Sequence, residues 1–124
     1  MTTTTPTSAQ VVRDMYQAAI DGRMAECLSY IDDEFRLEEP PFLPYGGTYE
    51  GPAGFQALFA KATELLDFPT LAIGYVFGEG EHACAVISCD LKTTGERRTI
   101  LEEWIVRDSR LLWGRVYWFN PTLT

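Results

Sequence analysis

The chain has 124 residues, of which 46% are hydrophobic and 23% charged, which is typical of a folded globular domain. Its formal net charge is −8, from 18 acidic and 10 basic residues, and this balance argues against nucleic acid as a partner. No apolar run approaches the roughly 18 residues of a membrane span, so we expect no membrane partner.

The N-terminal segment and the three cysteines indicate the extent of the domain and whether a disulfide or a metal site is expected. The Thr-rich start has no secretory-signal pattern, so we expect residues 1–7 to be a disordered tail and residues 8–124 a single domain. Cys27, Cys84 and Cys89 show no C-x-x-C spacing, and the chain has one histidine, which favours neither a disulfide nor a zinc site. We therefore expect free thiols, no metal, no cofactor and a cytoplasmic location.

Two helices are predicted first. Thr7 and Gln10 have capping-box spacing, and apolar residues then recur at helical intervals until Asp21 and Gly22 stop the helix. A shorter second helix has one apolar face, formed by Met24, Cys27, Leu28 and Ile31.

A strand and a third helix follow. The strand begins at residues 35–38, where apolar and polar residues alternate, and it ends at Pro40 and Pro41. Residues 42–47 have the composition of a loop, and Gly51 and Pro52 open the third helix. Its predicted apolar face comprises Phe55, Leu58, Phe59, Ala62, Leu65 and Leu66.

The second half of the chain predicts four strands, at about residues 70–78, 82–93, 98–107 and 111–119. Short turns separate them, which indicates an antiparallel meander. Helices followed by such a run define the α+β class, with three helices packed on a curved, mostly antiparallel sheet. Aromatic residues share strands with carboxylates, a pattern that favours a partly polar cavity.

Four segments in this order carry a family resemblance: residues 11–22, 35–40, 49–51, and the strand pair 104–108 and 117–121. Over residues 8–122 the chain resembles the nuclear-transport-factor-2-like (NTF2-like) superfamily, in its polyketide-cyclase-like (SnoaL-like) and ketosteroid-isomerase-like branch. The resemblance implies a cone-shaped α+β barrel whose pocket opens between the sheet and the first helices.

The resemblance also implies roles for single residues. Glu39, before Pro40, falls on the general base of the ketosteroid isomerases, and Glu102 on the protonated acid that donates to the oxyanion. The tyrosine of the first helix is replaced by Met15, with Tyr16 one residue along and about 100° around the axis. This replacement argues against steroid isomerisation itself. Asn120 takes the place of the acid that often ends the last strand in the cyclase branch.

Strand alternation gives an independent reason to examine the same residues. One shared face of two neighbouring strands carries Ile100, Glu102 and Trp104, together with Val116, Trp118 and Asn120. If this face lines the cavity, burial raises the pKa of Glu102; alternatively Glu103 faces inward and Glu102 is solvated.

Each further candidate has a structural alternative. Glu39 either points into the pocket or is a surface acid, because Glu38 and Glu39 cannot both face inward. Tyr45 either binds ligand at the mouth or plugs the barrel, and Tyr16 either donates to ligand or packs on the sheet. Trp104 and Trp118 either wall a planar ligand or belong to the core.

We therefore expect an enzyme that transfers a proton next to a carbonyl group of a hydrophobic metabolite, by isomerisation, cyclisation or dehydration. Glu39 would be the base and Glu102 the acid or oxyanion donor, while Tyr45, Trp104, Trp118 and Asn120 orient the substrate. The alternatives are a non-catalytic binder of an apolar ligand and a dimeric interaction module. A homodimer is expected, since the outer sheet face has no helix to cover it.

Overall fold

The computed structural model describes residues 5–124, so residues 1–4 of the expected disordered tail lie outside the described part of the chain. The elements follow the predicted order of two helices, a strand, a helix and a run of strands. They are α1 (Ser8–Ile20), α2 (Met24–Ser29), β1 (Ile31–Glu39), β2 (Gly47–Glu50), α3 (Gly51–Ala62), β3 (Leu66–Glu79), β4 (His82–Leu91), β5 (Arg97–Arg107) and β6 (Arg110–Trp118).

The strands form one curved sheet in the order β2-β1-β6-β5-β4-β3. The four strands from β3 to β6 are the predicted antiparallel meander, while β1 lies parallel to β6 and antiparallel to β2. The predicted α+β fold is thus confirmed. The sheet does not close into a complete barrel, because β2 and β3 remain edge strands.

The two ends of α1 are determined by the residues that the sequence predicted to start and stop the helix. The Thr7 hydroxyl accepts from the backbone N–H of Gln10 at 3.2 Å, which caps α1. The Gln10 side chain donates to Asp14 at 2.8 Å, so half of the capping box forms. At the other end Gly22 has a φ of +74°, a left-handed conformation that suits glycine, and α1 stops there as predicted.

Several boundaries differ from the prediction. Helix α2 ends at Ser29 and β1 already begins at Ile31, which the sequence had placed on the apolar face of that helix. Residues 47–50 form β2, a short strand that the sequence pattern did not distinguish from the preceding loop. Helix α3 ends at Ala62, and Leu66 already begins β3, where it is buried. Leu65 and Leu66 matched the helical pattern because a buried strand also places apolar residues toward the core.

Helices α1 and α3 cover the inner face of the sheet, and the core lies between these layers. Cys27 and Cys89 are buried, Cys84 is half-buried, and all three are free thiols. Among residues 5–124, no helix is long and apolar enough to cross a membrane. The same residues contain no group of three His, Cys, Asp or Glu side chains that could hold a metal ion.

A candidate active-site cavity

A cavity lies between the inner face of the sheet and helices α1 and α3. The space between its walls is about 680 Å³, a volume that includes open solvent at its mouth. Aliphatic and aromatic side chains form most of its wall. The ionisable exceptions are Tyr16, Glu39, Tyr45, Cys89 and Glu102.

Strand β5 places Glu102 in the cavity, between Ile100 and Trp104 on the same face. Glu103 lies on the opposite face of the sheet, where it accepts a hydrogen bond from the Tyr117 hydroxyl at 2.9 Å. Of the two adjacent carboxyl groups, the structure therefore brings Glu102 to the cavity.

A directed hydrogen-bond chain ends on Glu102. The indole N–H of Trp104 donates to the Tyr16 phenol oxygen at 3.1 Å, and the Tyr16 hydroxyl in turn contacts the Glu102 carboxyl group. An indole can donate but not accept, so the proton of Tyr16 is directed at Glu102. Met15 also lines the cavity, so both α1 residues considered in the sequence reach the site.

Burial raises the pKa of both cavity carboxyl groups. It raises the pKa of Glu102 to about 7, and the hydrogen bond from Tyr16 opposes this shift by stabilising the carboxylate. The pKa of Glu39 rises to about 9, first because of burial and second because of the charge of Glu102. Because the two charges repel each other, the pair favours holding a single proton, and the hydrogen bond that Tyr16 donates to Glu102 favours the proton being on Glu39.

The residues between β1 and β2 position Tyr45. Two turn hydrogen bonds fold this segment, from Leu43 N to the Pro40 carbonyl at 3.1 Å and from Gly46 N to the Leu43 carbonyl at 3.0 Å. The Tyr45 side chain is buried against the core and lines the cavity. Burial raises the pKa of its phenol, and the charge of Glu39 raises it further.

Glu39 lies where β1 separates from β6. Paired residues of these parallel strands end at Glu38 and Arg115, which also form an ion pair with an N–O distance of 2.7 Å. Beyond this pair an outer groove opens between the two chain segments. Glu39, Val116 and Trp118 line both this groove and the cavity. We call the place where β1 and β6 separate, lined by Glu39, Val116 and Trp118, the β1–β6 seam.

The structure gathers seven of the eight predicted site residues around the cavity: Met15, Tyr16, Glu39, Tyr45, Glu102, Trp104 and Trp118. Asn120 is the exception, and its expected place in the pocket is wrong. Strand β6 ends at Trp118, so the alternation that would turn Asn120 inward has stopped. Asn120 is exposed, and its side chain accepts from the backbone N–H of Thr122 at 2.9 Å.

Sequence reasoning did not select Cys89 or the pair Phe59 and Phe68 as cavity residues. Cys89 lies on the inner face of β4, and its thiol donates to the Asp67 carbonyl at 3.2 Å. Phe59 and Phe68 stack with ring centroids 4.5 Å apart and form a flat part of the wall. The alternation of buried residues along β4 could have identified Cys89.

Comparisons with known proteins place this geometry in a family. The SnoaL-like domain profile matches residues 12–110, so the chain belongs to the SnoaL-like family, as the sequence resemblance indicated. Comparison with curated proteins finds no significant match. The SnoaL-like and NTF2-like fold includes polyketide cyclases and isomerases.

Solved structures show the same NTF2-like fold. An NTF2-like protein from Burkholderia thailandensis E264 has a TM-score of 0.81 and 20% identity, covering 96% of this chain and 95% of that one. For an NTF2-like protein from Burkholderia xenovorans LB400 the values are 0.75 and 23%, covering 90% and 88%. TerC, co-crystallised with polyporic acid, has a TM-score of 0.77 and 16% identity, covering 90% of each chain.

Proposed function

We propose that this protein is a cofactor-independent enzyme that transfers a proton at the carbon next to a carbonyl group of a hydrophobic metabolite. Isomerisation, cyclisation and dehydration all begin with this step. The observation that carries the proposal is that two carboxyl groups, Glu39 and Glu102, line one apolar cavity, and that Glu102 accepts a hydrogen bond from Tyr16.

Their environments assign the two roles. A general base works best with a pKa near the operating pH, and burial gives Glu102 a pKa of about 7. Its Oε1 accepts a hydrogen bond from the Tyr16 hydroxyl, whereas its Oε2 has no hydrogen-bond partner among residues 5–124 and can accept the substrate proton. Glu39 keeps its own proton and acts as the acid. This assignment reverses the one implied by the family resemblance.

The reaction balances with these two groups. The Glu102 carboxylate takes the proton, and the electrons of the broken C–H bond form an enol or enolate. Glu39 then delivers its proton to the oxygen or to a second carbon of the substrate. The pair ends with the proton on Glu102 rather than on Glu39.

The cavity wall favours a flat, apolar substrate. Phe59 and Phe68 stack with nearly parallel planes, 9° apart, and Trp104 and Trp118 add further aromatic surface. TerC, which has a similar fold, was crystallised with polyporic acid, and this compound is a suitable second probe. The first probe we choose is 2-acetylnaphthalene, a flat ketone with exchangeable methyl protons beside its carbonyl group.

The test is exchange of these methyl protons in D₂O, followed by proton NMR. Wild type should exchange them faster than buffer does, and Glu102→Gln should lower the rate roughly 10²–10⁴-fold, the usual effect of losing a general base. Glu39→Gln should retain more activity, because a neutral amide still donates a hydrogen bond. Glu103→Gln is the matched control on the outer face and should exchange like wild type.

Equal rates for wild type and Glu102→Gln would contradict the proposal. The second candidate function is a non-catalytic binder of apolar ligands, which the predominantly apolar cavity wall favours. Saturable binding of 2-acetylnaphthalene without any exchange above buffer would support the binder.

A further inference from the structure

The cavity contains two phenol groups whose hydrogen bonding differs. Tyr16 accepts from Trp104 and donates to Glu102, so its single proton is already committed within the protein. The hydroxyl of Tyr45 makes no hydrogen bond with any of residues 5–124, although the Tyr45 backbone carbonyl accepts one.

The Tyr45 hydroxyl faces open space within the cavity. Across residues 5–124, no fully buried side-chain nitrogen or oxygen lacks a hydrogen-bond partner. A hydroxyl without a partner must therefore be accessible. The Tyr45 side chain is only 5% exposed and lines the cavity, and the charges of three other cavity residues, Glu39, Glu102 and Cys89, reach its phenol and raise its pKa; this places the hydroxyl on the cavity side.

The backbone holds Tyr45 in a fixed position. The Tyr49 hydroxyl donates to the Tyr45 carbonyl at 2.7 Å. At the next residue, a side chain on Gly46 would come within 2.4 Å of the Pro40 carbonyl oxygen, so only glycine permits this close turn. A donor mounted in this way is preorganised, because ligand binding requires little rearrangement.

We propose that Tyr45, and not Tyr16, is the catalytic hydrogen-bond donor to the carbonyl oxygen of the substrate. The inference rests on the proposed function and adds the group that stabilises the developing enolate. A hydrogen bond from a rigid donor strengthens as negative charge grows on the oxygen. Glu102 would take the proton on the carbon while Tyr45 holds the oxygen.

The electrostatics supports this role. Burial and the charges of Glu39 and Glu102 hold the pKa of the Tyr45 phenol well above its ordinary value, so it remains a neutral donor at every physiological pH. Tyr16 also stays protonated, but its proton is directed at Glu102. The proton state alone does not distinguish the two tyrosines; their hydrogen-bond partners do.

The test reads the hydrogen bond directly, from the carbonyl stretch of bound 2-acetylnaphthalene. Infrared difference spectra of ¹³C-carbonyl and unlabelled probe separate this band from the protein. In wild type the band should lie at lower frequency than in an alkane solvent. Tyr45→Phe should remove most of this shift, whereas Tyr16→Phe and the outer-face control Tyr75→Phe should keep it.

A rate measurement adds a second readout. Tyr45→Phe should slow methyl-proton exchange by roughly 10²–10³-fold, the effect of removing one oxyanion donor, with a much smaller change in the Kd of the probe. A carbonyl shift that survives in Tyr45→Phe, or that disappears in Tyr16→Phe, would overturn the inference.

The two proposals fail in distinguishable ways. Exchange that depends on Glu102, with a carbonyl shift independent of Tyr45, leaves the proposed function intact and removes the inference. A shift that depends on Tyr45 without any exchange supports Tyr45 as a ligand contact and contradicts its catalytic role and the proposed function. Failure of wild type to bind the probe contradicts both.

Discussion

Gly114 on β6 lies directly opposite Trp104 on β5, and the missing side chain of Gly114 makes room for the indole. A methyl group at Gly114 would come within 2.6 Å of two ring carbons of Trp104 and within 2.8 Å of Leu37. Trp104 is fully buried, its indole N–H donates to Tyr16 and its ring stacks on Phe35, so a displacement of the indole would disturb both contacts. Gly114 thereby determines where the indole N–H can meet Tyr16.

Gly114→Ala should therefore destabilise the protein by about 1–3 kcal/mol, the usual cost of overpacking a core. Urea unfolding measures this free energy of unfolding. The double variant with Trp104→Leu should lose less than the sum of the two single variants, since the smaller side chain removes the clash. Additive losses would show that Trp104 is not the group that Gly114 accommodates.

The rate of proton exchange should depend on pH as a bell-shaped curve. It should rise through pH about 7 as Glu102 ionises, and fall above pH about 9 as Glu39 loses its proton. Glu39→Gln should abolish the decline at high pH and retain the rise near neutrality. A profile that rises only above pH 9 would identify Glu39 as the base instead.

Stability should also depend on pH through Glu39. Its pKa rises from 4.5 to about 9 on folding, so between these values the folded protein holds a proton that the unfolded chain has lost. The free energy of unfolding must therefore fall as pH rises through this window. Glu39→Gln should raise Tm at pH 9 by roughly 5 °C or more and change it little at pH 4. The control Glu103→Gln should follow wild type.

We further propose that the protein is a homodimer that packs the outer faces of two sheets together. Tyr75 and Phe77 stack on β3 with ring centroids 6.2 Å apart, and they are 56% and 52% exposed. Tyr117 on β6 and Phe119, just beyond the end of that strand, are exposed as well. Apolar side chains concentrated in this way favour an interface.

Light scattering tests the assembly. Wild type should have twice the 14.0 kDa mass of one chain, and Phe77→Glu should shift it toward the monomer. Ile20→Glu is a matched control, because Ile20 is an exposed apolar residue on α1 rather than on the sheet. A wild-type monomer at micromolar concentration, or equal effects of the two substitutions, would contradict this interface.

The sequence was most informative where an element is long. Alternation over the 11 residues of β5 separates the two faces of the strand, and it pointed to Glu102 among aromatic residues. Such reasoning did not identify β2, whose four residues follow a turn-rich segment and are too few to show a period. Extending the β6 pattern to Asn120 failed because the strand stops at Trp118.

Helix α1 shows a different limit of predicting site residues from the sequence. Comparison by position put Met15 where a phenol was expected, with Tyr16 about 100° away around the helix axis. The cavity is wide enough that both side chains reach it, and Tyr16 contacts Glu102. Whether a tyrosine one residue away from the expected position still reaches the pocket depends on the width of the pocket. That width is determined by the curvature of the sheet, which the sequence does not reveal.

The β1–β6 seam has a consequence for repeated turnover. A reaction that moves a proton onto Glu102 and consumes one from Glu39 leaves the pair in the reversed state, and a second cycle requires resetting. Glu39 contributes to the walls of both the cavity and the outer groove, and we infer that water in the groove can return a proton to it while a product still occupies the cavity. The β1–β6 seam thus allows Glu39 to exchange protons with solvent water by a route separate from the one that the substrate takes.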